Sequence, residues 1–299
     1  MKNKNNLAYV LLVLTTVFWS GNFIVGKAAS LYEIPPFSLN FYRWFFAGLI
    51  LLPFTFQELI TKKKYIFNNI GFFIILGITS ITIFNSIVYY SLYYTQVISG
   101  VLMISTIPVW IIFISSILNI ERTNIFQIFG VGLSLTGVLF IITKADLEII
   151  KNLDFNKGDL TMVVAMFSWA IYSSLLKKKK YEISQIALLE VVIISGLLFL
   201  IPIYFIEMNM GNLIQLGKPF YLTLTYVVLF PGLASFFFWI KGISIIGANR
   251  AGAFLHLMPI FGAIMAMIFF DEKFMFYHFL GAIFIVMGIT LSNKKKLNV

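Results

Sequence analysis

The sequence predicts an all-α polytopic membrane protein of ten transmembrane helices, built as two inverted-topology five-helix repeats. Three observations predict it. Of 299 residues, 60% are hydrophobic and 11% charged, with a mean hydropathy of +0.94. The apolar residues fall in runs long enough to cross a bilayer. The chain also repeats itself at a nearly constant offset. A soluble domain carries about 45–50% apolar and about 25% charged residues. So much apolar surface could not be buried inside one soluble chain. That excludes a soluble enzyme, a disordered chain and a fibrous protein.

A spanning helix needs about 20 mostly apolar residues, because the hydrocarbon core is about 30 Å thick. Ten runs meet this. The first, 7–27, follows Lys2 and Lys4. It is long for a signal-peptide core of about 7–15 residues, so it is read as a retained helix. The next four are 36–56, 69–90, 96–118 and 125–143. A polar connector, 144–158, reads as an external linker. The last five are 159–176, 184–206, 219–240, 248–270 and 275–292. The runs are apolar on all faces, as helices in lipid are, and do not alternate as barrel strands would. This divides the chain into 1–143, the linker 144–158, and 159–299.

Charge orients the spans. With the N-terminus inside, the inner segments hold Lys2, Lys4, Lys62, Lys63, Lys64, Arg122, the four Lys at 177–180, Lys241, Arg250, Lys294, Lys295 and Lys296. The outer side holds Lys27, Lys144, Lys151, Lys157, Lys218 and Lys273. Both termini are therefore expected in the cytoplasm, at the plasma membrane. The net charge of +10 belongs to this pattern, and no nucleic-acid partner is expected. Cys is absent and His occurs twice, so no disulfide, thiolate metal site, metal or cofactor is called for.

Shifting the chain by 151 residues lays Pro108 on Pro259, Glu121 on Glu272, Gly130 on Gly281 and Gly137 on Gly288. A shift of 150 lays Trp19 on Trp169 and Lys27 on Lys177. Each match is weak alone, but together they hold one offset. Five helices per half is odd, so the second half enters the membrane from the opposite side. Inverted repeats of this kind are typical of secondary transporters, with the substrate site between the halves near the midplane.

The same residues resemble a known family. Trp19-Ser20-Gly21-Asn22-Phe23 is similar to the W-G-x-N/S-F motif of the EamA family of the drug/metabolite transporter superfamily. The segment Asn40-Phe41-Tyr42-Arg43-Trp44-Phe45-Phe46-Ala47-Gly48 resembles its second-helix Arg segment. Ile246-Gly247-Ala248-Asn249-Arg250-Ala251, with Pro259 and Asp271-Glu272-Lys273, resembles its G-A-x-R-A…P…G-E ending, except that Asp271 stands where Gly usually precedes the Glu. The resemblance covers nearly the whole chain. It implies ten helices, two EamA repeats and export or exchange of small metabolites such as amino acids.

Gly21-x-x-x-x-Gly26-Lys27 matches most of a P-loop, but Ala28 follows where Ser or Thr would bind magnesium, and the segment is an apolar helix. ATP is therefore not an expected partner. Polar residues within spans should face protein or a cavity. Trp19 and Asn22, with their repeat mates Trp169 and Tyr172, present an indole and a hydrogen-bonding group on one face in each half. They read as pathway residues or as packing and interhelical bonding. Asn85 and Tyr89, four apart, suit a polar or zwitterionic metabolite or bond a neighbouring helix.

His256 is a substrate contact, a proton carrier, or a neutral ring bonded to a carbonyl freed near Pro259. Arg43 binds a substrate carboxylate or caps carbonyls and snorkels. Glu190 is the remaining charge inside a span, and coupling, if present, falls to it or to His256. Pro108, Pro259 and Pro231 are hinge candidates. Gly130, Gly137, Gly281 and Gly288 allow close helix contact. The expected partners are a small-molecule substrate and membrane lipid, and the oligomeric state stays open. Drug efflux and nutrient uptake are rivals within transport. A polytopic enzyme would need a clustered catalytic constellation, and a sensor would need a soluble output domain. Neither feature is apparent.

Overall fold

The computed structural model describes residues 2–95, 97–146, 148–151, 156–270, 273 and 275–294, and these are helices joined by short turns. Asp271 and Glu272, the repeat mate of Glu121, lie outside the described residues, as do Lys295 and Lys296. The long helices are α1 (Lys2–Leu31), α2 (Pro36–Thr61), α3 (Ile70–Tyr94) and α4 (Val97–Ile104 followed by Ile107–Ile117). They continue with α5 (Ile125–Ile142), α6 (Lys157–Lys178), α7 (Gln185–Asn209) and α8 (Lys218–Ile246). Next is α9, which runs through Ala248–Ala253, the 3-10 turn Phe254–Leu257 and Met258–Phe270. The last is α10 (Phe276–Ser292).

Among the described residues, eight helices are long and apolar enough to cross a membrane. Two of the expected ten runs fall short as single helices. The 3-10 turn divides α9, and α10 has 17 residues.

Local chemistry starts several of these helices where the runs begin. Asn124 and Gln127 form a reciprocal capping box on α5, and Asn156 and Asp159 do the same for α6. The Ser184 hydroxyl accepts from Ala187 N–H at the start of α7. Gly247, at φ +89, ends α8 in the left-handed region that a residue with a Cβ disfavours.

The main helix contacts are antiparallel. Glu207, at the end of α7, accepts from Ser38 N–H and Oγ–H at 2.6 Å, at the start of α2. Glu58, at the end of α2, accepts from Ser184 N–H and Oγ–H at 2.6 Å, at the start of α7. The two helices are thus clamped at both ends by carboxylates on helix N-termini, where the dipole favours negative charge. Helix α1 runs antiparallel to α8, with Trp19 against Pro231 and Leu12 against Gly242. Helix α3 runs antiparallel to α6, with Ser91 against Thr161 and Thr79 against Ser168. Helices α5 and α10 meet through glycine. A Cβ on Gly137 would lie 2.5 Å from the Gly281 carbonyl, and one on Gly288 would lie 2.5 Å from the Gly130 carbonyl. Large apolar side chains such as Phe54, Phe129, Leu198, Phe205 and Val286 stay exposed around the bundle. That is the surface a lipid-solvated protein needs.

One turn latches the bundle. Glu121 Oε2 accepts from Asn249 N–H at 2.9 Å, and a Cβ on Gly247 would overlap that carboxylate. Burial raises the Glu121 carboxyl above its ordinary value, opposed in part by backbone donors at Asn249 and Ala248 and by Lys177 and Arg250.

Gly137→Leu is expected to lower the thermal midpoint of the detergent-solubilised protein, overpacking costing about 1–3 kcal/mol. Gly132→Leu, which faces open space, leaves the midpoint unchanged. For Glu121 the raised value means that the neutral acid favours folding. Its contribution is complete below the ordinary carboxylate range and is lost as pH rises through the raised value. The midpoint of the native chain minus that of Glu121→Gln is therefore expected to fall as pH rises above the ordinary carboxylate range.

Candidate functional site

Between the two halves lies a cavity of about 20 Å³, lined by Trp19, Asn22, Arg43, Asn85 and Trp169 with apolar neighbours. It is barely the size of one water molecule, too small to hold an organic metabolite. Five of the residues singled out from sequence converge here. Arg43 Nη1 donates to the Tyr89 hydroxyl at 2.7 Å, and that hydroxyl donates to Asn22 Oδ1 at 3.0 Å. One chain of bonds therefore joins α2, α3 and α1. Arg43 is 1% exposed, and no carboxylate pairs with it among the described residues. Its Cζ lies 4.9 Å from the Trp44 ring centroid and 6.0 Å from that of Phe236. Its Nε is buried without a hydrogen-bond partner. Cation–π attraction and one phenol therefore offset part of what a counterion would supply.

An aromatic block stands against this chain. The Trp19 and Trp169 rings meet edge-on at 5.2 Å, and Trp19 also reaches Trp239 at 5.4 Å. Phe236 packs on Trp169 at 5.2 Å and Trp44 at 4.6 Å. Tyr172 stacks behind Trp169 at 5.0 Å, and its hydroxyl has no partner. Asn85 turns back on its own helix and donates to Ser80 O at 2.6 Å. Its neighbour one turn on, Tyr89, reaches across to the other helices.

Helix irregularities supply backbone to the site. Ile78–Asn85 in α3 and Val228–Ala234 in α8 are π-helical, one extra residue per turn, and they stand 150 residues apart. Each leaves carbonyls off the regular ladder. Trp19 Nε1 donates to Pro231 O at 3.1 Å in the second stretch. In the first, Ile81 O, the repeat counterpart of Pro231 O, accepts from Asn40 Nδ2 at 2.9 Å. Trp169 Nε1, the counterpart of Trp19, is buried without a partner.

Pro108 and Pro259 start segments rather than kink continuous helices, whereas Pro231 lies inside the π-helical stretch of α8. Pro108 lies at the beginning of Ile107–Ile117, after a break at Ser105 and Thr106, and Pro259 follows the Phe254–Leu257 turn. The break frees Ser105 O, because Val109 N–H bonds Thr106 O instead. His256 Nε2 contacts Ser105 O at 2.8 Å, and Nδ1 contacts Ser134 Oγ at 2.5 Å. A carbonyl only accepts, so Nε2 carries the proton and Nδ1 accepts from Ser134 in the neutral ring. The freed carbonyl thus lies near Pro108, not near Pro259. Glu190 is 2% exposed in the α2–α7 interface. Its Oε1 lies 3.7 Å from where a Gly48 Cβ would sit, and Oε2 has no partner. Neither His256 nor Glu190 lines the central cavity.

Sequence reading missed Trp44, Phe236, Trp239 and Asn40. Trp44 and Asn40 stand within the Arg43 segment and could have been placed by it. The π-helical stretches carry no periodic signature, so the acceptor roles of Ile81 O and Pro231 O could not have been found.

Tyr89→Phe removes both bonds of the α1–α2–α3 chain and leaves Arg43 Nη1 and Asn22 Oδ1 buried and unpaired. The expected loss is about 1–3 kcal/mol, read as a lower thermal midpoint in detergent. Tyr90→Phe, at the half-buried end of the same helix, leaves the midpoint unchanged.

With the geometry in place, comparison with known proteins is direct. The EamA-like transporter family model matches residues 6–143 and again 156–294. An uncharacterized transporter of Archaeoglobus fulgidus is 26% identical over 98% of this chain and 99% of its own. The S-adenosylmethionine uptake transporter of Rickettsia felis is 25% identical over 87% of this chain and 83% of its own. A probable amino-acid metabolite efflux pump of Escherichia coli is 24% identical over 95% of this chain and 93% of its own. All three are named as transporters, and none as an enzyme. This chain, with its apolar helices, is a multi-pass membrane protein and a member of the EamA-like transporter family.

Proposed function

We propose that this protein moves small organic metabolites, amino acids or related compounds foremost, across the plasma membrane by alternating access. The pathway runs between two five-helix halves of inverted topology, spanning the membrane ten times with both termini in the cytoplasm. Trp19, Asn22, Asn85 and Trp169 line it at the centre with Tyr89 and Tyr172 behind them, and the irregular segments at Pro108, Pro259 and Pro231 are its hinges. Antiparallel packing of α1 on α8, α3 on α6, α2 on α7 and α5 on α10 supports the inverted arrangement.

The observation that carries the mechanism is a broken symmetry. Trp19 holds the π-helical stretch of α8, while its counterpart Trp169 holds nothing and Asn40 occupies the matching carbonyl of α3. Two halves of one design in different states are what alternating access requires. In the opposite-facing state Trp169 Nε1 bonds Ile81 O and Trp19 Nε1 releases Pro231 O. Efflux is the favoured direction, on the name of the Escherichia coli relative; the name of the Rickettsia felis relative supports uptake by the same cycle.

Counterflow in proteoliposomes against a metabolite panel tests transport. Protein-dependent exchange of at least one compound is expected, and equal movement in empty vesicles refutes it. The sequence has no Cys, so Arg122→Cys and Lys273→Cys need no background removed. Impermeant maleimide is expected to reach them from opposite sides of the membrane, and labelling from one side refutes the inverted halves. Trp19→Phe is expected to shift labelling of pathway cysteines toward the opposite-facing state by about fivefold, one hydrogen bond contributing about 1 kcal/mol. Trp169→Phe shifts it the other way or not at all.

A further inference from the structure

A second cavity, of about 560 Å³, opens beside the first and is lined mainly by apolar groups of α1 and α9. Phe23 and Met258 line both cavities, so these two side chains are the partition between them. The charged side chains lining the larger cavity include Lys27 and Lys144, and among the described residues no Asp or Glu lines it. Lys27 stands one turn beyond Phe23, and its Nζ donates to Leu92 O at 2.8 Å and Thr95 O at 3.2 Å. Lys144 is exposed at the end of α5. Beyond the partition, Arg43 is the one charged residue among the described residues that line the central cavity. The route from Lys144 past Lys27 to Arg43 is therefore cationic throughout. The carboxylates Glu33 and Glu207 line a separate cavity on the far side of α3.

We infer that the central site recognises small organic carboxylates, with Arg43 as the counter-charge and Lys144 and Lys27 drawing the anion in. This rests on the transport reading above and narrows its substrate class. A buried guanidinium that has one neutral phenol, two aromatic faces and an unpartnered Nε is a cation short of an acceptor. A substrate carboxylate supplies the acceptor, and the planar fork of arginine fits it. A single cation at the centre matches a monocarboxylate better than a doubly charged phosphate. Among the described residues no acidic side chain lines either cavity to hold an ammonium group, so the carboxylate is required of a substrate and the amine is not. The aromatic block around Trp19 and Trp169 receives the apolar part.

The test uses the purified full-length protein and three matched series: propanoate, alanine and ethylamine; 4-methylpentanoate, leucine and 3-methylbutylamine; 3-phenylpropanoate, phenylalanine and 2-phenylethylamine. Trp19, Trp44, Trp169 and Trp239 surround the site, so intrinsic fluorescence reports binding. Saturable quenching is expected from the acid in at least one series and not from its amine. Lys144→Glu, exposed and harmless to folding, is expected to raise the half-saturating acid concentration about three- to tenfold without changing the plateau. Arg43→Gln abolishes the saturable signal.

Equal binding of acid and amine, an unchanged half-saturation in Lys144→Glu, or no saturation by any acid overturns the inference. Counterflow separates this failure from that of the wider reading. If an amine exchanges as fast as its acid, the protein is a transporter and the carboxylate rule is wrong; if no compound exchanges, both readings fall.

Discussion

The structure depends on one constraint: polar groups taken out of water must find partners inside the protein. Regular helices satisfy their own backbone, so the places that matter are those where the helix is irregular. There are four of these, two in each half: the π-helical stretches of α3 and α8, the break in α4 and the 3-10 turn in α9. Each opens carbonyls toward the centre of the bundle. Trp19, Asn40 and His256 answer three of them. The polar character of the site is therefore a consequence of how the helices are broken.

That constraint also explains what could be read in one dimension. Span positions follow from composition because lipid imposes length and apolarity together. Gly137 and Gly281 were legible as packing residues because small side chains have few other uses in a span, and they do meet. Trp19, Asn22 and Tyr89 stood out as polar or amphipathic groups at helical spacing. Their joining through Arg43 did not, because a bond from α2 to α3 depends on helix rotation. The clamps of Glu58 on Ser184 and Glu207 on Ser38 were equally hidden. Each links residues more than a hundred positions apart, with no local signature. The division of α9 was missed for a related reason. Residues 248–270 read as one apolar run, and apolarity does not report a change from α to 3-10 winding.

Under the proposed two-fold relation, contacts sort by their distance from the axis. Gly130 against Gly288 maps onto Gly281 against Gly137, so the α5–α10 seam is its own image. His256 and Ser105 are themselves repeat mates, and they bond to each other. Such contacts lie where a rocking motion moves atoms least, and they need not break during exchange. The bond of Trp19 to Pro231 is different. Its image, Trp169 to Ile81, is absent in this state, where Asn40 holds Ile81 O. The fixed contacts then serve as the pivot and the exchangeable ones as the switch. On that division His256 is held at both ring nitrogens in the pivot, and a proton taken up at Nδ1 would reverse its bond to Ser134, whose hydroxyl would then accept from the ring and donate to Gly130 O. Glu190 needs no such rearrangement, because its Oε2 has no bond to lose. If a proton drives the cycle, geometry therefore favours the carboxyl in the α2–α7 interface over the imidazole.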